Sequence, residues 1–119
     1  MTVVFGDTFY WIALTNTQDS RHREALDIFR FREYPRILTT EQVLTEYLNF
    51  FCDWGEYFRR KAEHNVRQVL AASSVTVAPH THELFLEVLD LYRARPDKGY
   101  SLTDCISMQT MRREGSWRP

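Results

Sequence analysis

The stretch that most constrains this chain is Val3-Val4-Phe5-Gly6-Asp7-Thr8. Three consecutive apolar side chains describe a strand buried on both faces, the pattern of a parallel sheet. Gly6 lets the backbone turn, and Asp7 follows at the strand's carboxyl end, where a helix from Phe9 to Leu14 begins. Ligands of open α/β sheets bind beyond the carboxyl ends of strands, so a carboxylate there can serve a site. Asp is also a good helix N-cap, and the stretch alone leaves both roles open.

The rest of the chain alternates helices with short strands. Asp19 or Ser20 caps a helix whose His22, Ala25, Leu26 and Phe29 recur at helical spacing. It ends before Pro35, and Pro35 to Thr40 reads as a second strand. Thr39 or Thr40 then caps a helix from Glu41 to Cys52. On it, Glu46 lies three residues after Val43 and four before Phe50, and so shares a face with apolar side chains. A carboxylate on such a face needs a partner, an arginine or a metal, because burying it unpaired is costly.

Asp53-Trp54-Gly55 breaks the pattern, and Phe58, Ala62, Val66, Val69 and Leu70 mark a fourth helix. Val75 to Ala78 reads as a third strand, closed by Pro79. His80 and His82 read as capping and surface residues. Leu84, Phe85, Val88, Leu89 and Tyr92 give an amphipathic fifth helix. After a loop over Arg93 to Gly99, Ser101 and Asp104 have the spacing of a capping box. Met108 and Met111 follow Asp104 at i+4 and i+7, so that acid also points along a partly apolar face, and Gly115 ends the helix. This alternation predicts a three-layer α/β fold, a central parallel sheet flanked by helices, with right-handed crossovers.

Composition narrows the function classes. The chain has 119 residues, enough for one domain over 1–119 with a real core. A net charge of −1 argues against a strongly basic nucleic-acid coat. Local basic patches remain: Arg21, Arg23, Arg30, Arg32 and Arg36 in one stretch, Arg59, Arg60 and Lys61 in another, and Arg112 and Arg113. Each reads as a solvated helix face or as a phosphate contact. No apolar run approaches a membrane span, and no signal peptide is visible, which points to the cytoplasm without a membrane partner. Cys52 and Cys105 form no metal-spacing motif and read as small apolar packing residues.

Three motifs together resemble a known family. Val4-Phe5-Gly6-Asp7-Thr8 with Phe9-Tyr10-Trp11-Ile12-Ala13-Leu14 looks like the opening strand, first acid and first helix of a PIN-domain ribonuclease, the fold of VapC-type toxins of toxin–antitoxin pairs. Thr39-Thr40-Glu41-Gln42-Val43-Leu44-Thr45-Glu46 looks like its second strand and second acid. Leu91-Tyr92-Arg93, through Asp97-Lys98-Gly99-Tyr100-Ser101-Leu102-Thr103-Asp104-Cys105-Ile106-Ser107, looks like its third acidic motif. The resemblance runs from about Val3 to Gly115. It implies that Asp7, Glu46 and Asp104 are catalytic, metal-binding acids. Thr8 and Ser101 or Thr103 would be supporting polar groups, and Asp97 a further acid at the rim. It implies a Mg²⁺ or Mn²⁺ cofactor, an RNA substrate cut by hydrolysis of its phosphodiester bonds, and a cognate antitoxin protein. Oxygen ligands suit either ion. Tyr10 and Trp11 stand near enough to stack bases, with core packing the competing job for Trp11.

In one respect the sequence departs from the family. The family continues into another strand that leads to a fourth acid, and nothing in Ser116 to Pro119 replaces either. The expectation is a shortened PIN-like domain whose first strand has an open edge, covered by a second copy in a homodimer. Loss of a ligand also raises an alternative, a catalytically weak or inactive module that binds RNA or protein. A third reading makes Asp7 and Asp104 helix caps and nothing more.

Overall fold

The computed structural model describes residues 3–30 and 36–114, with the side chains of 28–30 excepted. Pro35, Arg32, Gly115 and Ser116 to Pro119 lie outside the described residues, as do the side chains of Phe29 and Arg30. Strands β1 (Val3–Phe5), β2 (Arg36–Thr40) and β3 (Val75–Ala78) form one parallel sheet in the order β1-β2-β3. Val4 pairs with Ile37, and Ile37 in turn with Val75. Helices α1 (Thr8–Thr15) and α2 (His22–Arg30) separate β1 from β2. Helices α3 (Glu41–Phe51) and α4 (Glu56–Ala71) separate β2 from β3. Helix α5 (His82–Ala94), a 3₁₀ turn at Pro96–Lys98 and α6 (Leu102–Arg113) follow.

Two apolar clusters cover the sheet. Trp11 and Ile12 of α1, Ile37 of β2, Val43, Leu44, Tyr47 and Phe51 of α3 and Ala62 of α4 form the larger one. Phe51 stacks on Phe58 with the rings 5° from parallel and their centroids 5.5 Å apart. The smaller cluster joins Leu84 and Val88 of α5 to Cys105 and Ile106 of α6, and α6 packs on β2. Successive strand side chains point to opposite faces, which is why the middle strand is buried from Ile37 through Thr40. β1 pairs only with β2, so among the described residues its other side is an open edge. No helix among them is long and apolar enough to cross a membrane.

The turn after β1 is fixed by packing. Gly6 has no positive φ, so backbone freedom is not its role, contrary to the expectation from sequence. A Cβ there would lie 2.8 Å from Cζ2 of the Trp11 indole. The Gly6 carbonyl accepts hydrogen bonds from Trp11 Nε1 at 3.1 Å and from the Thr39 hydroxyl at 2.7 Å. Trp11 Nε1 also reaches Thr39 Oγ1 at 3.2 Å. Trp11 is therefore a core residue, with its one polar atom satisfied inside. At Gly55, by contrast, φ is +97° and the residue opens α4 in a conformation that side chains rarely adopt.

Cys105 packs as expected, fully buried. Burial and the nearby Asp104 charge push its thiol pKa up, so it stays protonated. Cys52 does not. It is the C-cap of α3 and is exposed, because it falls off the Val43, Leu44, Tyr47 and Phe51 stripe. The cap of α5 is Thr81, whose side chain accepts from the Leu84 amide; His80 and His82 are surface residues, as expected, but neither is the cap.

Because the indole is held by two acceptors, it cannot yield to a methyl group at position 6. Gly6→Ala should cost about 1–3 kcal/mol of overpacking strain, read from urea unfolding midpoints; a change below about 0.5 kcal/mol, the scale of an ordinary surface substitution, would show that the contact is soft.

Candidate active site

The three candidate acids stand on three different elements. Asp7 follows β1 and is the N-cap of α1, its Oδ1 accepting the Tyr10 amide at 2.8 Å. Asp104 lies in the first turn of α6 and completes the capping box: its Oδ2 accepts the Ser101 amide at 3.0 Å, and Ser101 Oγ accepts the Asp104 amide at 3.0 Å. Both capping roles are thus real. Each uses one oxygen of its carboxylate, and the other oxygen takes no hydrogen bond from the described residues. Both acids are exposed.

Glu46, in the middle of α3, joins the two. Its Oε1 accepts from the Thr8 hydroxyl at 3.0 Å, and its Oε2 accepts from the Thr103 hydroxyl. Thr8 directly follows Asp7, and Thr103 directly precedes Asp104. The carboxylate therefore ties the first turn of α1 and the first turn of α6 to α3, and brings the neighbourhoods of the other two acids to it. Its partners are two hydroxyls rather than an arginine. Charge-assisted bonds of this kind are the stronger class, and they account for a half-buried carboxylate without an ion pair.

The other predicted polar groups divide. Thr8 and Thr103 both act on Glu46, whereas Ser101 acts on the helix end alone. Asp97 is exposed, lies 3.8 Å from Arg95 Nε and takes no part in the Glu46 hydrogen bonds. Among the described residues no group of three or more His, Cys, Asp and Glu side chains is gathered closely enough to hold a metal ion jointly. The donor set still fits a hard divalent cation. Asp7 and Asp104 each keep a carboxylate oxygen, and Mg²⁺ retains several waters and takes only one or two carboxylates directly.

Comparison with known proteins follows the same outline. The model of the PIN domain family matches residues 4–116. The chain belongs to the PIN-domain family. It is 28% identical over 117 residues to proteins named 23S rRNA-specific endonuclease VapC20 from two Mycobacterium tuberculosis strains, CDC 1551 / Oshkosh and ATCC 25618 / H37Rv. Those matches cover 95% of this chain and 83% of each relative. A crystal structure of Mycobacterium tuberculosis VapC20, described as a sarcin–ricin-loop-cleaving toxin, superposes with a TM-score of 0.80 at 24% identity. It covers 96% of this chain and 84% of that one. At that identity the likeness is one of fold, and it agrees with the three-layer arrangement seen in this PIN domain.

Several of the arginines that suggested phosphate contact have acidic neighbours. Arg21 pairs with Glu24 at 3.4 Å, Arg60 with Glu56 at 2.8 Å, and Arg113 with Glu87. Such exposed pairs hold weakly, so a phosphate can compete for these cations. A cavity of about 280 Å³ is lined by none of the three acids and includes the hydrogen-bonded Thr15, Tyr47 and Asn65 in its wall.

The Glu46 tether makes a direct prediction. Thr103→Val keeps the side chain's shape and leaves one Glu46 oxygen without its donor, and should cost about 1 kcal/mol, the low end for a partly exposed acceptor. Thr103→Ser keeps the hydroxyl and should recover more than half of that loss. Chemical unfolding of both variants checks this, and equal losses would deny the hydroxyl its role.

Proposed function

We propose that this PIN domain is a metal-dependent endoribonuclease, the toxin of a toxin–antitoxin pair, that hydrolyses RNA phosphodiester bonds. The observation that carries the reading is the Glu46 carboxylate held between Thr8 and Thr103, the sequence neighbours of Asp7 and Asp104. Those bonds bring the chain segments of Asp7 and Asp104 to one carboxylate at the carboxyl end of a parallel sheet, where α/β folds place their ligands. Support comes also from the relatives, which are named as endonucleases acting on 23S rRNA.

In this reading Asp7 and Asp104 hold Mg²⁺ or Mn²⁺ through the carboxylate oxygens that their capping bonds leave over. Glu46 acts at one remove, by hydrogen bonds that orient its neighbours. The chemistry that a bound divalent cation supplies there is charge neutralisation at a phosphate oxygen and activation of water. The exposed arginines hold the flanking phosphates. A second copy covers the open edge of β1, since an uncovered strand edge invites pairing, and a separate antitoxin protein is the expected inhibitor.

One observation favours a second reading. Because no three candidate ligands are gathered among the described residues, the chain also suits a module that binds RNA without cutting it.

Asp7→Asn separates these. Asn caps a helix as well as Asp does, so the melting temperature of the metal-free chain should barely change. Cleavage of single-stranded RNA with added Mg²⁺ or Mn²⁺ should fall by at least about 100-fold, the upper end of what loss of even an outer-shell group costs. RNA binding without metal-dependent cleavage by the intact chain would decide for the binding module.

A further inference from the structure

We infer that the small cleft between α1 and α2, walled by Phe9, seats an unpaired RNA base beside the phosphate that Asp7 serves. The inference rests on the nuclease reading and specifies how that site takes its substrate.

Phe9 is 79% exposed, although it stands in a run of three aromatic residues on one helix. Consecutive helical residues point about 100° apart. Once Trp11 is fixed inward by Gly6 and Thr39, Phe9 is turned out toward solvent, on the same helical turn as Asp7. Singly exposed apolar side chains are common, but Phe9 is the most exposed of the large hydrophobic side chains among the described residues and lies beside a cleft that holds Asp7.

The ring borders a cleft with an apolar floor and polar side chains beside it. It shares that cleft, of about 160 Å³, with Asp7, Tyr10, Ala13, Arg21, Glu24 and Ala25. Ala13 and Ala25 are small and buried, and they let α1 and α2 approach closely enough to leave a slot rather than a broad groove. Its volume is below the range of roughly 300–1,000 Å³ usual for whole small-molecule sites, and suits a single planar ring. Arg21 and Glu24 pair at 3.4 Å at its rim and are both largely exposed. They offer hydrogen-bond donors and acceptors to a base edge, and a planar guanidinium also stacks.

These elements are the ones that read an unpaired base: an aromatic face for stacking and polar groups for the base edge. A docked protein would call for a wider apolar patch around the ring, and here the apolar lining is confined to Tyr10, Ala13 and Ala25, with Asp7, Arg21 and Glu24 beside them. The base seat and the candidate catalytic carboxylate share one cleft, so a base stacked on Phe9 would set which phosphate reaches Asp7. Phe9 is then a residue that chooses the cleavage position.

The test uses a single-stranded oligoribonucleotide carrying 2-aminopurine, whose fluorescence is quenched on stacking, bound to the full chain without divalent metal. Phe9→Ala should weaken binding about tenfold and abolish the protein-dependent quenching, and Phe9→Trp should restore both. In cleavage assays the Ala variant should raise KM more than it lowers kcat. Binding and quenching by Phe9→Ala equal to those of the intact chain would overturn the inference and leave the ring as a contact for a protein. Phe9-dependent quenching in a chain that cuts no RNA with any metal would support the base seat while contradicting the nuclease reading.

Discussion

A carboxylate removed from bulk water must be given hydrogen bonds or a counter-charge, and in this fold Glu46 receives its bonds from both sides. One comes from Thr8, 38 residues before it, and the other from Thr103, 57 residues after it. Each of those threonines is covalently next to one of the other two candidate acids. The two contacts therefore link α1, α3 and α6 at the end of the sheet where strands give way to helices. The apolar clusters hold the layers together. The Glu46 bonds fix the first turns of α1 and α6 against α3 at the carboxyl edge.

The same edge is braced from below by the Gly6 carbonyl, which receives the Trp11 indole and the Thr39 hydroxyl. That arrangement ends β1, seats α1 and aligns β2 with a few buried atoms. It also decides the orientation of α1: with Trp11 locked inward, Asp7 remains exposed at the helix start and Phe9 is directed to solvent. A packing requirement in the core thus sets the geometry of the surface cleft above it.

Much of this was legible in the sequence. Three short apolar runs became the three strands, and β3 spans the expected residues, Val75–Ala78. The Ser101 and Asp104 capping box formed with both of its hydrogen bonds. What escaped was long-range. That Glu46 would be satisfied by hydroxyls could not be read from its own helix, because both donors lie on other elements. The role of Gly6 depended on a ring five residues away, which only a folded α1 brings back to it. The run Phe9-Tyr10-Trp11 does not state which ring the core will take and which is left to solvent.

The proposed function requires that Asp7, Glu46 and Asp104 serve one divalent-ion site. It is tested most directly by adding Mn²⁺ in small amounts to the isotope-labelled chain and following amide signals for paramagnetic broadening. With one shared site, the signals of Asp7, Thr8, Glu46, Thr103 and Asp104 broaden first and together. Broadening centred elsewhere, for example at the exposed Glu83 and Glu87 of α5, or no selective broadening at all, would contradict it.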